Sequence, residues 1–268
     1  SFERGRFFFK RPHKLRRPVS VWVSEPRAPA EVSVAWLDAE MRRLGSEAFL
    51  SRPIFTGTKP ESWPALANAL RLAETRWHEE DETLWLCDGG DLAVREALEW
   101  YVRMRRDVRL CTDAAPELGS GGKVVAIGGE EALQKARVEQ GDWSGLPVVR
   151  VVWVRRGMEA LGAREPVLDV PVFPAWLTED GAWAGLSVPD PYLPPVHYGE
   201  QPGNCPGTLG RLLPGWRCEP AEGGLMLADW HPGDREPRIY PGLFLNEHGF
   251  LMPQSSGRDA AKNSLPLR

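Results

Sequence analysis

The sequence of 268 residues lacks any long hydrophobic run and has few cysteines. No apolar stretch approaches the roughly 20 residues that a membrane-spanning helix needs, so no membrane insertion is expected. The N-terminal region shows no signal-peptide pattern, because the Phe triplet at 7–9 is too short and is flanked by arginines. Four cysteines are too few for a disulfide scaffold at this length. These absences predict a cytoplasmic protein.

The motifs of the common α/β enzymes are also missing. No G-x-G-x-x-G follows a predicted strand, and G-x-S-x-G is absent. GSGGK at 119–123 is not a Walker A loop, because Glu117 stands where that motif needs Gly and Val124 where it needs Ser or Thr. The sequence therefore predicts no nucleotide-binding loop and no nucleophile elbow, and no cofactor is expected.

Metal-ligand spacing is absent near the C-terminus, although metal-binding residue types are present. Cys205, Cys218 and His231 belong to no C-x₂-C or H-x₃₋₅-H pair, which is the spacing of compact zinc sites. They are candidates for a zinc ion that joins distant loops. The alternative is buried unpaired cysteines and surface histidines.

What the sequence does contain is an α/β pattern around residues 83–113. A short apolar strand at 83–87 is followed by the turn Asp88-Gly89-Gly90-Asp91. A helix from about 91 to 106 has a wide apolar face, which is typical of a helix packed on a sheet. A second strand returns at 107–111. A β-α-β unit of this length predicts two parallel strands with a right-handed crossover.

The same alternation extends over residues 19–156. Strands are predicted at 19–23, 31–37, 123–127 and 146–154, and helices at 38–49, 62–77 and 130–139. The acidic run at 78–82 is interpreted as a solvated turn. Alternating strands and helices predict an α/β domain with a largely parallel sheet and flanking helices.

Residues 157–268 have a different composition. Thirteen Pro and thirteen Gly fall within residues 181–268, together with many aromatic residues. The aromatic content argues for ordered loops and short strands rather than disorder. We therefore predict a Pro/Gly/Trp-rich, irregular β region packed on or next to the first domain.

Residues 1–18 form a basic arm with an aromatic triplet. Its candidate contact residues for nucleic acid or a protein partner are the cations and phenylalanines of this segment: Arg4, Arg6, Phe7, Phe8, Phe9, Lys10, Arg11, Lys14, Arg16 and Arg17. Lys and Arg suit phosphates and Phe suits bases. The alternative is a terminal segment that packs its Phe side chains on its own domain.

The carboxyl ends of the predicted strands supply the candidate catalytic residues. Ligands of open parallel sheets bind at this edge, where the sequence places Thr112, Gly128, Gly129 and four aspartates: Asp38, Asp88, Asp91 and Asp113. Carboxylates at one edge suit Mg²⁺ and the chemistry of phosphate esters. The alternative is that these aspartates cap helices.

The function that this pattern favours is a non-catalytic subunit or adaptor of a larger bacterial-type assembly, with other protein subunits as partners. The basic arm, the twelve tryptophans and the lack of a catalytic motif support it. Two alternatives stay open. One is an enzyme that uses Mg²⁺ on a nucleotide or phosphate ester, and the other is a nucleic-acid-binding module.

Overall fold

The computed structural model describes residues 23, 26–34, 36–37, 40–41, 63–75, 77–79, 81–89, 91–105, 107–112, 115–116, 122–144, 146–158, 163, 165–189, 203–229, 236–246 and 248–254. The chain divides into two compact units, Ser1–Arg52 and Pro53–Arg268. The basic arm at 1–18 lies outside the described residues, so its predicted contacts stay a prediction.

The first unit corrects one predicted element. The strand predicted at 31–37 is wrong: a 3-10 helix covers Pro29–Glu31, and residues 34, 36 and 37 are helical. The backbone N–H of Trp36 donates to Ser33 Oγ at 3.1 Å, and Leu37 N–H donates to the Ser33 carbonyl at 2.9 Å. Ser33 thus acts as a helix cap, and this local cap outweighs the alternating pattern.

The second unit is built on a seven-stranded sheet. Its elements are α1 (Trp63–Ala73), β1 (Glu82–Leu86), α2 (Leu92–Met104), β2 (Arg109–Cys111), β3 (Lys123–Gly128), α3 (Glu130–Glu139), β4 (Val148–Arg156), β5 (Val172–Leu177), β6 (Trp183–Leu186) and β7 (Arg211–Leu212). The strand order is β2-β1-β3-β4-β5-β6-β7. The five strands from β2 to β5 are parallel, and β6 and β7 are antiparallel. The predicted α/β fold with a largely parallel sheet is confirmed.

The C-terminal part of the chain adds small antiparallel sheets. One contains β8 (Trp216–Ala221), β9 (Gly224–Asp229) and β10 (Arg238–Pro241), and β11 (Leu243–Leu245) pairs with β12 (Leu251–Pro253). The predicted β-leaning character is confirmed. The main sheet also continues past residue 156, because Val151 of β4 pairs with Val172 of β5. A domain boundary at 156 stays a prediction.

Helices cover both faces of the main sheet. Leu84 and Leu86 of β1 belong to the apolar core that includes α1 and α2, whereas Trp85 belongs to the core of α3 on the opposite face. This alternation follows from the two-residue period of a strand. None of the described helices is long and apolar enough to cross a membrane.

A buried ion pair ties the three-stranded sheet to α1. The guanidinium of Arg71 on α1 is paired with the carboxylate of Asp229 on β9, and their side chains are 6% and 5% exposed. Arg71 also donates to Asn68 Oδ1 at 2.9 Å and lies 4.8 Å from the Trp216 ring centroid. The Trp216 indole N–H donates to the Trp183 carbonyl at 2.7 Å. This cluster therefore connects α1, β6, β8 and β9.

The amino-terminal edge of the sheet carries a buried polar network that the sequence did not predict. The run at 78–82 is not a solvated turn, since His78 is 4% and Glu82 1% exposed. Glu82 accepts from Arg150 at 2.9 Å and from the Glu79 backbone N–H at 2.9 Å. Lys123 donates to Glu79 at 2.8 Å. The network lies at the edge of the sheet opposite to the carboxyl ends of the parallel strands.

We expect His78 to make the protein sensitive to acid. Burial lowers the pKa of His78 below its ordinary value, because the imidazolium is desolvated beside Tyr101. An unfolded His titrates near 6.5, so the stability that neutral His78 gives is complete above that pH. It is lost as the pH falls through the folded pKa. The charged groups near this ring are Arg105, Asp107 and Arg150.

The measurement is the free energy of urea unfolding at pH 7.5 and 5.5 for the protein and for His78→Gln. Burial raises the pKa of Glu82, so protonation of Glu82 increases stability as the pH falls. This effect is opposite to that of His78 and is present in both proteins. The advantage of the parent over the variant should therefore shrink at pH 5.5. Equal pH dependence in both proteins would contradict the role of His78.

Candidate functional site

The connections of the parallel strands switch from one face of the sheet to the other between β1 and β3. From β1 the chain passes over one face through α2 to β2, and from β3 it passes over the other face through α3 to β4. The carboxyl ends of β1 and β3 therefore flank a crevice, and open α/β sheets bind ligands at such a point. Residues Cys87 and Asp88 follow β1 here, and Gly129 follows β3.

A cleft of about 780 Å³ opens at this edge, on the face of α1 and α2. We call it the carboxyl-edge cleft. It is lined by the N-terminal turns of these two helices and by residues that follow three strands: Pro64, Ala65, Asn68, Asp88, Asp91, Leu92, Ala93, Glu96, Arg156, Asp180 and Gly181. Its volume lies in the range of small-molecule sites. A second cavity of about 290 Å³ lies beside Asp180, Trp216 and Tyr240.

Asp91 has two partners in the wall of this cleft. Its Oδ1 accepts the Val94 backbone N–H at 3.2 Å, which makes it the N-cap of α2. The same oxygen accepts from Arg156 Nη2 at 2.6 Å. Asp91 thus serves as a helix cap, as one sequence-based alternative proposed, and the ion pair joins the ends of β1 and β4. A catalytic role for Asp91 stays a prediction.

The cleft is electronegative. Its lining contains four carboxylates and one guanidinium, a formal charge of −3: Asp88, Asp91, Glu96, Asp180 and Arg156. Asp180 is held by a hydrogen bond from the Thr178 hydroxyl. Such a lining accepts hydrogen bonds and disfavours anions. It therefore suits hydroxyl or ammonium groups better than phosphates.

Of the other predicted site residues that the structure describes, none lines this cleft. Among the residues that the structure describes, no three His, Cys, Asp or Glu side chains are close enough to hold a metal ion. Asp38, Asp113 and His231 lie outside those residues. Neither Cys205 nor Cys218 forms a disulfide.

Cys87 follows β1 and has a buried thiol. Burial raises the pKa of its thiol to about 12, and the thiolate is the reactive form. At neutral pH the side chain is therefore a protonated thiol in an apolar setting.

Four polar residues of the cleft were not predicted from the sequence: Asn68, Glu96, Arg156 and Asp180. Asn68 and Glu96 lie within predicted amphipathic helices, where nothing in the sequence marks them. Arg156 ends β4 and Asp180 follows β5, and the strand at 172–177 was not predicted because it lies in the Pro/Gly-rich region. Its signal was the run VFPAWL followed by the turn TEDG, which has the pattern of a buried strand and a turn.

Of three kinds of comparison with known proteins, only the comparison with solved structures found similar chains. No protein-family model matches it, and no curated protein matches its sequence. Among solved structures, it resembles wild-type E. coli MenE with a bound analogue of OSB-AMS, at 14% identity and a TM-score of 0.44. It also resembles ATP-bound MatB from Rhodopseudomonas palustris, at 12% identity and a TM-score of 0.45.

A third similar structure is o-succinylbenzoate CoA synthetase (MenE) from Bacillus subtilis, at 12% identity and a TM-score of 0.41. The alignments cover 71%, 71% and 72% of this chain and 43%, 43% and 45% of the three solved chains, respectively. The chain thus spans less than half the length of each of these structures.

These comparisons correct the functional prediction. They contradict the prediction of a non-catalytic subunit or adaptor, because one of the structures that the chain resembles is described as a synthetase. The use of Mg²⁺ stays a prediction, because Asp38 and Asp113 lie outside the described residues. The predictions on cofactors, protein partners and cytoplasmic location stay predictions.

Proposed function

We propose that residues 53–268 form the ligand-binding part of an enzyme, and that the carboxyl-edge cleft binds a small molecule rich in hydrogen-bond donors. The observation that carries this proposal is the cleft itself: about 780 Å³ with a formal charge of −3, at the carboxyl edge of a parallel sheet. Nucleosides, sugars and amines have the matching chemistry, because they present hydroxyl or ammonium groups without a compensating negative charge.

The carboxylates divide into two roles. Asp91 is held by Val94 and Arg156, so it shapes the wall. Asp88 and Asp180 follow two different strands and line the same cleft. In this proposal they accept hydrogen bonds from neighbouring donors of the ligand.

The test is calorimetric titration of the full chain with adenosine, spermidine and ATP. ATP belongs in the set because one similar structure is described as ATP bound. We expect adenosine or spermidine to bind at least about tenfold more tightly than ATP, since the phosphates meet a cleft lining with a formal charge of −3. Replacing Asp88 or Asp180 by Asn should weaken the better ligand roughly tenfold, which corresponds to one charge-assisted hydrogen bond of about 1.5 kcal/mol.

The matched control is Glu139→Gln on α3, which removes an exposed carboxylate from the opposite face of the sheet. It should leave the affinity unchanged. ATP binding as tightly as adenosine, or full affinity in both aspartate variants, would refute the proposed ligand chemistry.

A further inference from the structure

The second cavity, of about 290 Å³, is lined by the three-stranded sheet, by the segment that precedes β10 and by the turn between β5 and β6. We call it the small cavity. Its volume is close to the lower end of the range for small-molecule sites, so it suits a small ligand. The lining residues are Asp180, Trp216, Leu227, Glu236, Pro237, Arg238 and Tyr240.

Strand pairing brings four of these residues to one face of the three-stranded sheet. Trp216 of β8 is opposite Asp229 of β9, two residues beyond Leu227. Arg238 of β10 is opposite Leu227, and Tyr240 lies two residues beyond Arg238. Side chains that are directly opposite, or two residues apart on one strand, share a face of a sheet. One face therefore supplies both aromatic rings, an apolar side chain and a cation to the small cavity.

The part of the lining that belongs to this face is largely apolar and buried. Trp216, Leu227 and Tyr240 are 5%, 1% and 3% exposed. The Tyr240 ring packs edge-to-face on Trp176 of β5, with 5.2 Å between the ring centroids. Its hydroxyl is hydrogen-bonded to Glu179. Since this hydroxyl already has a partner, the three residues mainly offer the cavity hydrocarbon surface.

The exposed part of the lining is acidic. Its charged members are Asp180, Glu236 and Arg238, all of them exposed. Arg238 Nη1 lies 3.7 Å from Glu179 Oε2, so a carboxylate outside the lining already balances this guanidinium. The four groups together have a formal charge of −2. The rim of the small cavity therefore favours a cation over an anion.

We propose that the small cavity binds a primary amine that carries an aromatic or other apolar body. The ammonium group lies at the rim, where the carboxylates of Asp180 and Glu236 attract it and can accept its hydrogen bonds. The body packs on Trp216, Leu227 and Tyr240, which removes apolar surface from water. Aromatic rings also attract cations. An anion of the same shape would meet an excess of negative charge.

The small cavity and the carboxyl-edge cleft are neighbours, because Asp180 lines both. The two sites can still be tested separately. Glu236 and the aromatic pair line only the small cavity, whereas Asp88 lines only the cleft. The proposal for the small cavity therefore does not rest on the proposed function, and variants at Glu236 and Asp88 distinguish the two.

The experiment is calorimetric titration of the full chain with phenethylamine, phenylacetate and ethylamine at neutral pH and matched ionic strength. Phenylacetate has a similar shape and the opposite charge, and ethylamine keeps the charge without the aromatic body. We expect phenethylamine to bind saturably and at least about tenfold more tightly than either of the other two.

Glu236→Gln removes one carboxylate of the rim at an exposed position, where substitution rarely disturbs folding. It should weaken phenethylamine about threefold or more. Asp88→Asn should leave the phenethylamine affinity unchanged, whether or not the cleft binds adenosine or spermidine. The matched control is Glu219→Gln on β8, which removes a carboxylate that is 56% exposed from the opposite face of the same sheet. It should retain the full affinity.

Absence of saturable phenethylamine binding would overturn the proposal. Equal affinity for phenylacetate would contradict the role of charge, and equal affinity for ethylamine would contradict the role of the apolar lining. An unchanged affinity in Glu236→Gln, or an equal loss in Asp88→Asn, would show that the amine binds outside the small cavity.

Discussion

Asp229→Ala is expected to lower the free energy of unfolding by about 3–5 kcal/mol, because it removes one partner of an ion pair whose side chains are only 6% and 5% exposed. The hydrogen bond of Arg71 to Asn68 and its contact with the Trp216 ring bring no negative charge to the guanidinium. Most domains have only 5–15 kcal/mol of stability in total. The variant should therefore unfold at a much lower urea concentration than the parent.

Two controls separate lost charge pairing from lost packing. The double variant Asp229→Ala with Arg71→Met removes both charges, and it should recover much of the stability that the single change loses. Glu139→Ala breaks the exposed pair between Lys135 and Glu139 on α3, and it should cost less than about 0.5 kcal/mol. A loss below about 1 kcal/mol in Asp229→Ala would contradict a buried, unsolvated pair.

Gly210→Ala is the second change with a large expected effect. Gly210 has φ +88°, and an added Cβ would lie 2.5 Å from the Leu186 backbone N and 2.7 Å from its Cα. Both obstacles belong to the backbone of β6, which cannot rotate away as a side chain can. We expect a loss of at least about 3 kcal/mol, since overpacking strain adds to the cost of a left-handed conformation. Urea unfolding monitored by tryptophan fluorescence would measure it.

Gly207→Ala is the matched control for this prediction. Gly207 also has a positive φ, +76°, but an added Cβ meets nothing within 4 Å. Its alanine variant should lose only the conformational part, about 1–2 kcal/mol. Similar losses of unfolding free energy in Gly207→Ala and Gly210→Ala would show that the contact of residue 210 with the β6 backbone adds no strain.

Much of the main sheet could be predicted because its strands carry their own signals. The predicted strands at 83–87, 107–111, 123–127 and 146–154 and the helix at 130–139 agree with β1–β4 and α3 to within about two residues. Each is a short apolar run or amphipathic helix bounded by Gly or Asp. Such segments are locally consistent with the fold they adopt.

The errors came where tertiary contacts outweigh composition. The acidic run at 78–82 was taken as solvated, but Arg150, 68 residues beyond Glu82 in sequence, neutralises it inside the protein. The cap at Ser33 changed an alternating segment into a helix. Composition describes neither a distant partner nor a local cap, so both elements were predicted wrongly.

Only the part of the candidate site that belongs to the turn after β1 could be predicted from the sequence. Asp88 and Asp91 were placed at the correct sheet edge because the turn after β1 is obvious in sequence. Arg156 and Asp180 depend on β5 joining the sheet, and β5 interrupts its apolar run with Pro174. Proline normally argues against a central strand, so the sequence concealed the strand that completes the cleft.

The last strand of the main sheet depends on residues near the end of the described chain. Leu209 N–H donates to the Leu251 carbonyl at 2.8 Å, Leu251 N–H donates to the Gly210 carbonyl at 2.9 Å, and Arg211 forms a bridge with Phe250. Contacts between such distant residues form late when a chain folds as it is synthesised. A ribosome-bound chain that ends before residue 250 therefore exposes this edge of the sheet, and chaperone binding is most needed during that interval.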